Sequence, residues 1–410
     1  MSTWLRGSVR VVALLLAGVL GVVTTLSTAT ADPAKTGYPN SMASTGDSIT
    51  RAYNTCTTTF TDCPMNSWST GTNPAVNSIY ARILSANNLI LNHNANDAVS
   101  GARMTDLNGQ VLNVNAQHVD YVTILMGAND VCTSSEGTMT SVGTFLSQFQ
   151  TAMSTLSSSS PDARISVASI PDIYQLWSIL HTNASATATW NFGICQSMLA
   201  NPTSMAQADV DRRARVRQRN IDFNTQLQQV CAQYIHCRFD NNAAFNTAFT
   251  PSDVSTVDYF HPSLTGQTLA ASVGFGATFD FTDSVAPVSS ASTTPTGGGI
   301  NVTLSATDNV GVSGIEYKVG TGVWVRYVSA VFLPNGSAIT YRAVDVNGNI
   351  EATHTLTASP SVGGVAEPPD LNALPHEGTG SRLNYGVALG ALAAVTLVAL
   401  SIAVARRRAR

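Results

Sequence analysis

The fold is most clearly specified at residues 119–130, where Val119-Asp-Tyr-Val-Thr-Ile-Leu-Met126 is followed by Gly-Ala-Asn-Asp130. The first eight residues are rich in β-branched and apolar side chains, which predicts a buried strand ending before the glycine. A second such run, Arg164-Ile-Ser-Val-Ala-Ser-Ile170, stops at a proline, and the segment 141–156 between the two runs has the pattern of a helix. A strand, a helix and a strand in this order predict a right-handed crossover and a parallel sheet.

Helix-like and strand-like segments alternate from about residue 38 to residue 282, which predicts a single α/β domain over residues 32–283. A further helix is predicted over 206–235, where apolar residues recur at intervals of three or four. Its first part carries a cluster of five arginines, at positions 212, 213, 215, 217 and 219. A solvated helix face is the simpler interpretation of this cluster, and an anion-binding patch is the alternative.

The pattern of the chain changes after residue 283. Residues 284–298 are rich in Ser, Thr, Pro and Gly, which is typical of a linker. From 299 to 359, apolar residues alternate with polar ones, and turn signals such as Asn335-Gly336 and Asn347-Gly348 separate the runs. Short strands at this spacing predict a β-sandwich, and the segment resembles the Ig-like modules of bacterial surface proteins. We expect it to act as a spacer, with ligand binding as the alternative.

The two ends of the chain have the patterns of segments that direct export. Residues 1–31 carry two arginines, then an uncharged run at 11–23, and end at Ala29-Thr-Ala31, as a cleavable signal peptide does. Residues 385–405 carry no charge, are long enough for a transmembrane helix, and precede a basic tail at 406–410. The positive-inside rule then predicts a cytoplasmic tail and an exported remainder, joined by a Pro- and Gly-rich stalk at 360–384. An uncleaved anchor and a buried core helix are the respective alternatives.

A short motif just before the apolar C-terminal segment bears on how the protein is anchored. Leu374-Pro-His-Glu-Gly378 resembles the cell-wall sorting signal of Gram-positive surface proteins. That pattern requires Thr at the position of Glu377, so we expect a membrane anchor and keep cell-wall contact as the alternative. The predicted location is the cell surface, with the α/β domain outside the membrane.

The composition excludes several classes of protein. Charged residues make up only 11% of the chain and hydrophobic residues 44%, whereas disordered chains combine low hydrophobicity with high net charge. Six of the 21 basic residues lie in the two terminal segments and all 25 acidic residues lie between them, so the predicted exported part has a net charge of about −10. The net negative charge of the exported part argues against a nucleic-acid partner, because proteins that bind nucleic acids typically carry a basic patch.

The predicted export bears on the state of the six cysteines. They include no C-x-x-C motif, and six cysteines in an oxidising compartment predict three disulfides. Sequence alone allows about fifteen pairings. Short loops favour Cys56–Cys63 and Cys231–Cys237, and that choice leaves Cys132–Cys195 as the third pair.

A candidate nucleophile lies soon after the predicted mature N-terminus, in Gly46-Asp-Ser48-Ile49. Hydrolysis by a serine needs an exposed hydroxyl, a histidine base oriented by an acid, and donors that face the developing oxyanion. The common G-x-S-x-G motif is absent, but Gly46 permits a tight turn that projects Ser48 from the end of a strand. Ordinary turn chemistry is the alternative interpretation of Asp-Ser.

Three further motifs supply the remaining groups. Asn129 follows the predicted strand 119–126, where its side-chain amide can point to an oxyanion. In Asp258-Tyr-Phe-His261, the only D-x-x-H of the chain, the carboxylate can accept from one ring nitrogen while the other faces the serine. Gly101 lies between these motifs in a loop that offers a backbone N–H. The alternatives are an Asn turn that closes a strand, and a helix-capping Asp beside a surface His.

With these four motifs in this order, residues 40–280 resemble the SGNH (GDSL) hydrolase family. The resemblance implies a three-layer α/β/α domain with a central parallel sheet, and catalysis without a cofactor or metal. It implies that Ser48 is the nucleophile, His261 the general base and Asp258 its orienting acid. In the same family pattern, Ser48 and Gly101 lend backbone N–H groups to the oxyanion hole, and Asn129 lends its side chain.

Within that family, the cysteines and the Ser169-Ile-Pro-Asp172 block are similar to those of secreted actinobacterial esterases and lipases. The resemblance therefore implies a carboxylic ester hydrolase whose substrate is a lipid or an acylated polysaccharide. An acetyl-polysaccharide esterase and a catalytically inactive surface adhesin are the alternatives. Some aromatic residues are candidates for an acyl pocket, although packing in the core is the more common role of such residues: Tyr53, Phe60, Trp68, Trp177 and Trp190.

Overall fold

A five-stranded sheet lies at the centre of the N-terminal part of the protein in the computed structural model, which describes residues 31–359. Its strands are β1 (Met42–Gly46), β2 (Asn94–Asn96), β3 (Tyr121–Leu125), β4 (Arg164–Val167) and β5 (Cys237–Phe239), in the order β2-β1-β3-β4-β5. Every neighbouring pair is parallel, and Tyr121 lies beside Met42 on one side and Arg164 on the other. The predicted parallel sheet is confirmed.

The helices of the described residues connect these strands and follow the last of them. They are α1 (Ile79–Ala86), α2 (Met104–Gln117), α3 (Ala128–Val131), α4 (Val142–Ser159), α5 (Ile173–Leu180), α6 (Ala184–Trp190), α7 (Gln196–Leu199), α8 (Gln207–Cys231) and α9 (Leu264–Gly276). The helices predicted over 141–156 and 206–235 correspond to α4 and α8. Ser141 begins α4 as predicted, because its side chain accepts a hydrogen bond from the backbone of Thr144.

The strands bury side chains on both faces of the sheet. Val122 and Ile124 of β3 belong to the larger core with α2, α4 and α8, whereas Tyr121 and Leu125 belong to a second core with α1 and α9. Successive side chains of a strand point to opposite faces, so helices cover the sheet on both sides. The α/β domain therefore has the three layers that the family resemblance implies.

The arginines of α8 contact the rest of the domain rather than forming one solvated face. Arg213 is 1% exposed, and its guanidinium lies 4.2 Å from the ring centre of Trp177. The other four bond to neighbouring groups: Arg212 to Asp209, Arg215 to Glu136, Arg217 to Asp172, and Arg219 to the carbonyl of Thr140. The interpretation as a solvated face is confirmed only in part, because the side chains of Arg215 and Arg217 are 57% and 45% exposed whereas Arg213 is buried.

The C-terminal part of the described chain consists of two antiparallel sheets, which we call the β module (residues 288–357). One sheet has the order β10-β7-β6 and the other β12-β11-β8-β9. The strands are β6 (Val288–Thr296), β7 (Gly299–Thr307), β8 (Val312–Val319), β9 (Val325–Arg326), β10 (Val331–Pro334), β11 (Ala338–Asp345) and β12 (His354–Thr357). Val302 and Leu333 of the first sheet share a core with Ile339 and Ala343 of the second, as in a sandwich. The resemblance to Ig-like modules stays a prediction.

The predicted linker at 284–298 is wrong for most of its length. Residues 288–296 form β6, which pairs with β7 from Val288 opposite Thr307 to Thr296 opposite Gly299. β6 lies at the edge of its sheet and exposes one face, so Ser and Thr can form it just as they can form a linker. Proline is also tolerated at the edge of a sheet, which explains Pro295. Composition therefore could not separate the two structures.

The β module contacts the edge of the central sheet at which the strands begin. Arg164, at the start of β4, donates its Nε–H to the carbonyl of Gly348 at 2.9 Å, and Arg238 of β5 donates to the carbonyl of Asp345 at 2.8 Å. The N-terminal segment takes part as well, because Lys35 and Ile350 exchange backbone hydrogen bonds of 2.9 and 2.8 Å. The strands of a parallel sheet all begin at one edge and all end at the other. The β module contacts the edge where the strands begin, so it leaves the edge where they end uncovered.

The cysteines form the three pairs that loop length favoured. Cys56–Cys63, Cys132–Cys195 and Cys231–Cys237 are disulfides, with Cα–Cα distances of 5.6, 4.4 and 5.3 Å. Within residues 31–359, no helix combines the length and apolar character needed to cross a membrane. The predicted signal peptide up to residue 30, the stalk, the transmembrane segment 385–405, the sorting-like motif and the tail lie outside the described residues.

Candidate active site

Ser48 lies in the turn after β1, at the edge of the sheet where the strands end. Gly46, the last residue of β1, has φ +148°, and a Cβ added there would lie 2.5 Å from the carbonyl oxygen of Leu125. The side chain of Gln110 holds this glycine from both sides, accepting from its N–H at 2.8 Å and donating to its carbonyl at 2.9 Å. Only glycine fits here, and the fixed peptide positions the serine two residues later. Sequence reasoning missed Gln110, which belongs to no motif.

Ser48, His261 and Asp258 form one chain of hydrogen bonds. Nε2 of His261 lies 2.8 Å from Oγ of Ser48, and Nδ1 lies 2.6 Å from Oδ2 of Asp258. The other carboxylate oxygen accepts from the backbone N–H groups of Phe260 and His261 at 3.0 and 3.1 Å. Burial alone would raise the pKa of Asp258, but the hydrogen bonds and charge of His261, with the backbone donors, outweigh burial and lower this pKa.

The capping interpretation of the D-x-x-H motif does not fit this geometry. Helix α9 begins at Leu264, and its cap is Ser263, whose side chain accepts from the backbone of Gly266. The side chains of Asp258 and His261 are only 8% and 14% exposed. The motif therefore forms a buried hydrogen-bonded pair rather than a cap beside a surface histidine.

Asn129 lies at the end of the neighbouring strand β3, on the short helix α3. Gly127, with φ +125°, makes the turn between the two elements, and a Cβ there would lie 2.5 Å from Cδ1 of Ile170. Nδ2 of Asn129 donates to the carbonyl of Ala102 at 3.0 Å. An amide nitrogen carries two N–H groups, so one remains for a ligand.

Gly101 lies on the loop that Asn129 contacts. The loop is held against β1 by the hydrogen bond from the N–H of Val99 to the carbonyl of Gly46, at 3.1 Å. Gly101 is exposed and has φ +84°, a conformation that favours glycine. The structure thus puts this loop beside both Asn129 and the end of β1, and the oxyanion role of Gly101 stays a prediction.

A groove that is mainly apolar opens beside these side chains. Ser48, His261 and Asn129 line it together with apolar residues from several loops and from α5, namely Ile49, Pro171, Ile173, Leu176, Ile179, Phe249, Val254 and Phe260. The favoured interpretation of the aromatic candidates as core residues is confirmed for Trp68, Trp177 and Trp190, which are buried in the cores, whereas Phe60 is 65% exposed. Tyr53 contacts the site differently, with its ring centre 4.9 Å from that of His261.

Asp47 and Asp130 are buried carboxylates beside Ser48 and Asn129 in the sequence motifs. Neither takes part in the hydrogen-bond chain from Ser48 to Asp258. Burial raises the pKa of Asp47 to about 6, although its Oδ1 accepts from the backbone of Ile49 at 2.9 Å. Burial likewise raises the pKa of Asp130, which accepts from the backbone of Met104 at 2.8 Å. Asp130 thereby connects the start of α2 with the helix that carries Asn129.

One set of carboxylates in residues 31–359 is close enough to share a cation. Oxygen atoms of Asp283, Asp308 and Asp345 lie within 4.8 Å of one another. None of these residues lines the groove beside Ser48. The groove itself combines a hydroxyl, an imidazole and an amide with apolar walls, which suits acyl transfer without a metal.

Much of the α/β domain matches the model of a known protein family. The model of the GDSL-like lipase/acylhydrolase family matches residues 45–269, more than half of the chain. No curated protein matches the chain. Solved structures that resemble it include an extracellular lipase from Streptomyces rimosus, with 17% identity over 58% of this chain and 99% of that one, at a TM-score of 0.38. An acetyl xylan esterase has 16% identity over 58% and 98%, at 0.32, and a Clostridium thermocellum family 3 carbohydrate esterase has 12% over 59% and 95%, at 0.33. On the family match, this chain belongs to the GDSL-like lipase/acylhydrolase family.

Proposed function

We propose that the protein hydrolyses carboxylic esters through an acyl-enzyme on Ser48. The observation that carries this proposal is the continuous hydrogen-bond chain from Ser48 through both ring nitrogens of His261 to Asp258. In a neutral imidazole one nitrogen donates and the other accepts. With Nδ1–H donating to the carboxylate, Nε2 is left to accept the serine proton, as a general base requires.

The reaction then follows from the positions of these groups. Oγ of Ser48 attacks the ester carbonyl while Nε2 of His261 takes its proton, and the negative oxygen is stabilised by the N–H groups of Ser48, Gly101 and Asn129. The imidazolium returns the proton to the departing alcohol, which leaves the acyl group on Ser48. Water attacks this ester with His261 again as base, and the acid is released as the serine regains its proton.

The lining of the groove favours an acyl chain over a bare acetyl group. Its walls are mostly aliphatic and aromatic, which suits the burial of several methylene groups. Two oxygens on the lining are already engaged, since Oε1 of Gln175 accepts from the backbone of Phe249 at 3.0 Å and Oδ2 of Asp253 from that of Thr250 at 2.9 Å. We therefore favour a fatty-acyl esterase or lipase over an acetyl-polysaccharide esterase.

The test is the activity of Ser48→Ala on p-nitrophenyl esters from acetate to dodecanoate, with acetylated xylan assayed in parallel. We expect the variant to lose at least about a thousandfold in kcat while its thermal unfolding is unchanged. Ser178→Ala, an exposed serine on α5, is the matched control and should keep full activity. Activity of Ser48→Ala equal to wild type contradicts the proposal. Activity of the wild type on acetylated xylan alone favours the polysaccharide alternative, and no activity on any ester favours the inactive adhesin.

We also propose that the enzyme acts outside the cell on a membrane anchor, with the β module as a spacer. The signal-like segment 1–31, the apolar segment 385–405 with its basic tail, and three disulfides support this location. Fractionation of cells with and without muramidase tests the proposal. Release of the protein by wall digestion alone would instead indicate attachment to the cell wall.

A further inference from the structure

A buried asparagine outside the four motifs contacts the carboxylate of Asp258. Asn54 is 5% exposed, and its Nδ2 donates at 2.5 Å to Oδ2 of Asp258, the oxygen that also accepts from His261. Its Oδ1 accepts from the backbone N–H of Phe60 at 2.5 Å. The orientation of the amide follows from its partners, because a backbone N–H needs an acceptor and a carboxylate needs a donor.

The loop that carries Asn54 is held in place without help from Asp258. The backbone N–H of Asn54 donates to the carbonyl of Thr61 at 3.0 Å, and the disulfide Cys56–Cys63 closes the loop. Asn54 has φ +63°, a left-handed conformation that asparagine tolerates better than most residues. The amide is therefore presented to the carboxylate by a constrained backbone.

The same loop is attached to the segment of the nucleophile. The backbone N–H of Tyr53 donates to the carbonyl of Ser48 at 3.0 Å, one residue before Asn54. The contacts form a closed ring that runs from Ser48 through His261 and Asp258 to Asn54. The ring closes through the backbone of residues 48–54, because this short segment carries both Ser48 and Asn54. His261 can bond Ser48 and Asp258 together only if these two groups keep a fixed separation, and the ring provides that constraint.

We propose that Asn54 is a positioning residue that acts through Asp258, an inference that rests on the proposed esterase function. It holds Oδ2 of the carboxylate in line with Nδ1 of His261. Its N–H also stabilises the ionised carboxylate, which reduces the basicity of the oxygen that faces the imidazole. Loss of this donor leaves a more basic carboxylate, so the Asp258–His261 pair gives up its shared proton less readily.

The experiment compares the full-length protein with two variants, using kcat and KM for p-nitrophenyl butyrate measured between pH 5 and pH 9. Asn54→Gly keeps the left-handed backbone and removes the amide. Asn54→Asp keeps the acceptor for Phe60, so the loop stays bonded, but directs a second carboxylate oxygen at Asp258. Asn92→Gly and Asn92→Asp are the matched controls, because Asn92 is an exposed asparagine with φ +65° outside the site.

We expect Asn54→Gly to lower kcat about tenfold, the effect of losing one hydrogen bond to a charged group, with KM changed less than twofold. The acidic limb of its pH profile should move up by about half a pH unit. Asn54→Asp should lose at least as much kcat and also lower the Tm, because two carboxylates then face each other in a buried site, and both controls should match wild type.

Two results would overturn the role of Asn54. One is wild-type kcat in both Asn54 variants, and the other is a loss that is equal at every pH, as general loosening of the fold would produce. Ser48→Ala separates this outcome from a failure of the proposed function. If that variant is inactive, the esterase assignment stands whatever the Asn54 variants do.

Discussion

Arg164, the first residue of β4, donates its Nε–H to the carbonyl oxygen of Gly348 in the β module at 2.9 Å. Its Nη2 donates to Oδ1 of Asn349 at 3.1 Å, and the arginine is only 6% exposed. A buried guanidinium that loses these two acceptors would keep only the carbonyl of Gly37 as a hydrogen-bond partner, which is costly. The β module therefore stabilises the α/β domain through this contact, in addition to any role as a spacer.

Gly348→Ala should destabilise the protein more than Gly336→Ala does. Both glycines have positive φ, +75° and +80°, so both alanines are strained by the backbone. Only at Gly348 would the new Cβ also crowd Arg164, 2.8 Å from its Nε, whereas nothing lies within 4 Å at Gly336. We expect the difference to be about 1–3 kcal/mol in urea unfolding. Equal losses of unfolding free energy in the two variants would show that the side chain of Arg164 can move away from the new Cβ without cost.

Glu316→Gln should weaken the contact between the two parts of the protein. Glu316 of β8 is buried, lies 2.6 Å from Nε of Arg342, and faces His236 of the α/β domain at 3.3 Å. Burial alone would raise its pKa, but the hydrogen bond and charge of His236, with the charge of Arg342, outweigh burial and lower this pKa. Its contribution to stability is therefore present above the unfolded pKa and lost as the pH falls through the folded one.

We expect Glu316→Gln to cost about 2 kcal/mol of unfolding free energy at neutral pH, because it removes one of the two carboxylates paired with the buried Arg342 and leaves only Asp162. Glu136→Gln, which removes the more exposed pair with Arg215, is the control and should cost less than about 1 kcal/mol. Similar costs for both variants in denaturant unfolding would contradict the distinction between the two pairs.

Asp47→Asn should remove part of the pH dependence of stability. Burial raises the pKa of Asp47 to about 6 from 3.8, so the folded state keeps this proton where the unfolded state has lost it. The unfolding free energy of the wild type should therefore fall by roughly 2 kcal/mol from this group between pH 4 and pH 6. Urea unfolding of both proteins across this range provides the measurement. A constant difference between wild type and Asp47→Asn would refute the expectation.

Leu176→Trp should shorten the acyl chain that the enzyme accepts. Leu176 lies on α5 and lines the groove beside Ser48, so a larger side chain fills space that we assign to the acyl chain. We expect kcat/KM for p-nitrophenyl octanoate to fall about tenfold or more, and that for the acetate to change little. Leu112→Trp, an exposed leucine on α2, is the control. An equal loss of kcat/KM on both esters would mean that the acyl chain binds elsewhere.

Much of the site and the sheet follows from local patterns. The run at residues 119–126 is apolar and β-branched over a strand length, and β3 lies within it at Tyr121–Leu125. The motifs around Ser48, Asn129 and His261 each follow a turn or strand end, where an α/β sheet presents side chains to one edge. Their convergence was predictable because parallel strands share that edge.

Other features depend on partners that are distant in sequence. Asn54 contacts Asp258 across 204 positions, and no local pattern distinguishes it from the other asparagines of the chain. β6 became a strand because β7 offers it a ladder of backbone hydrogen bonds, although its composition is that of a linker. The groove is lined by residues of several separate loops and of α5 rather than by the aromatic candidates, since only packing determines which apolar side chains remain uncovered. Local sequence therefore specified the central strands β3 and β4 and the candidate reacting groups, while tertiary contacts decided which residues hold those groups, because such contacts arise only once separate segments have packed together.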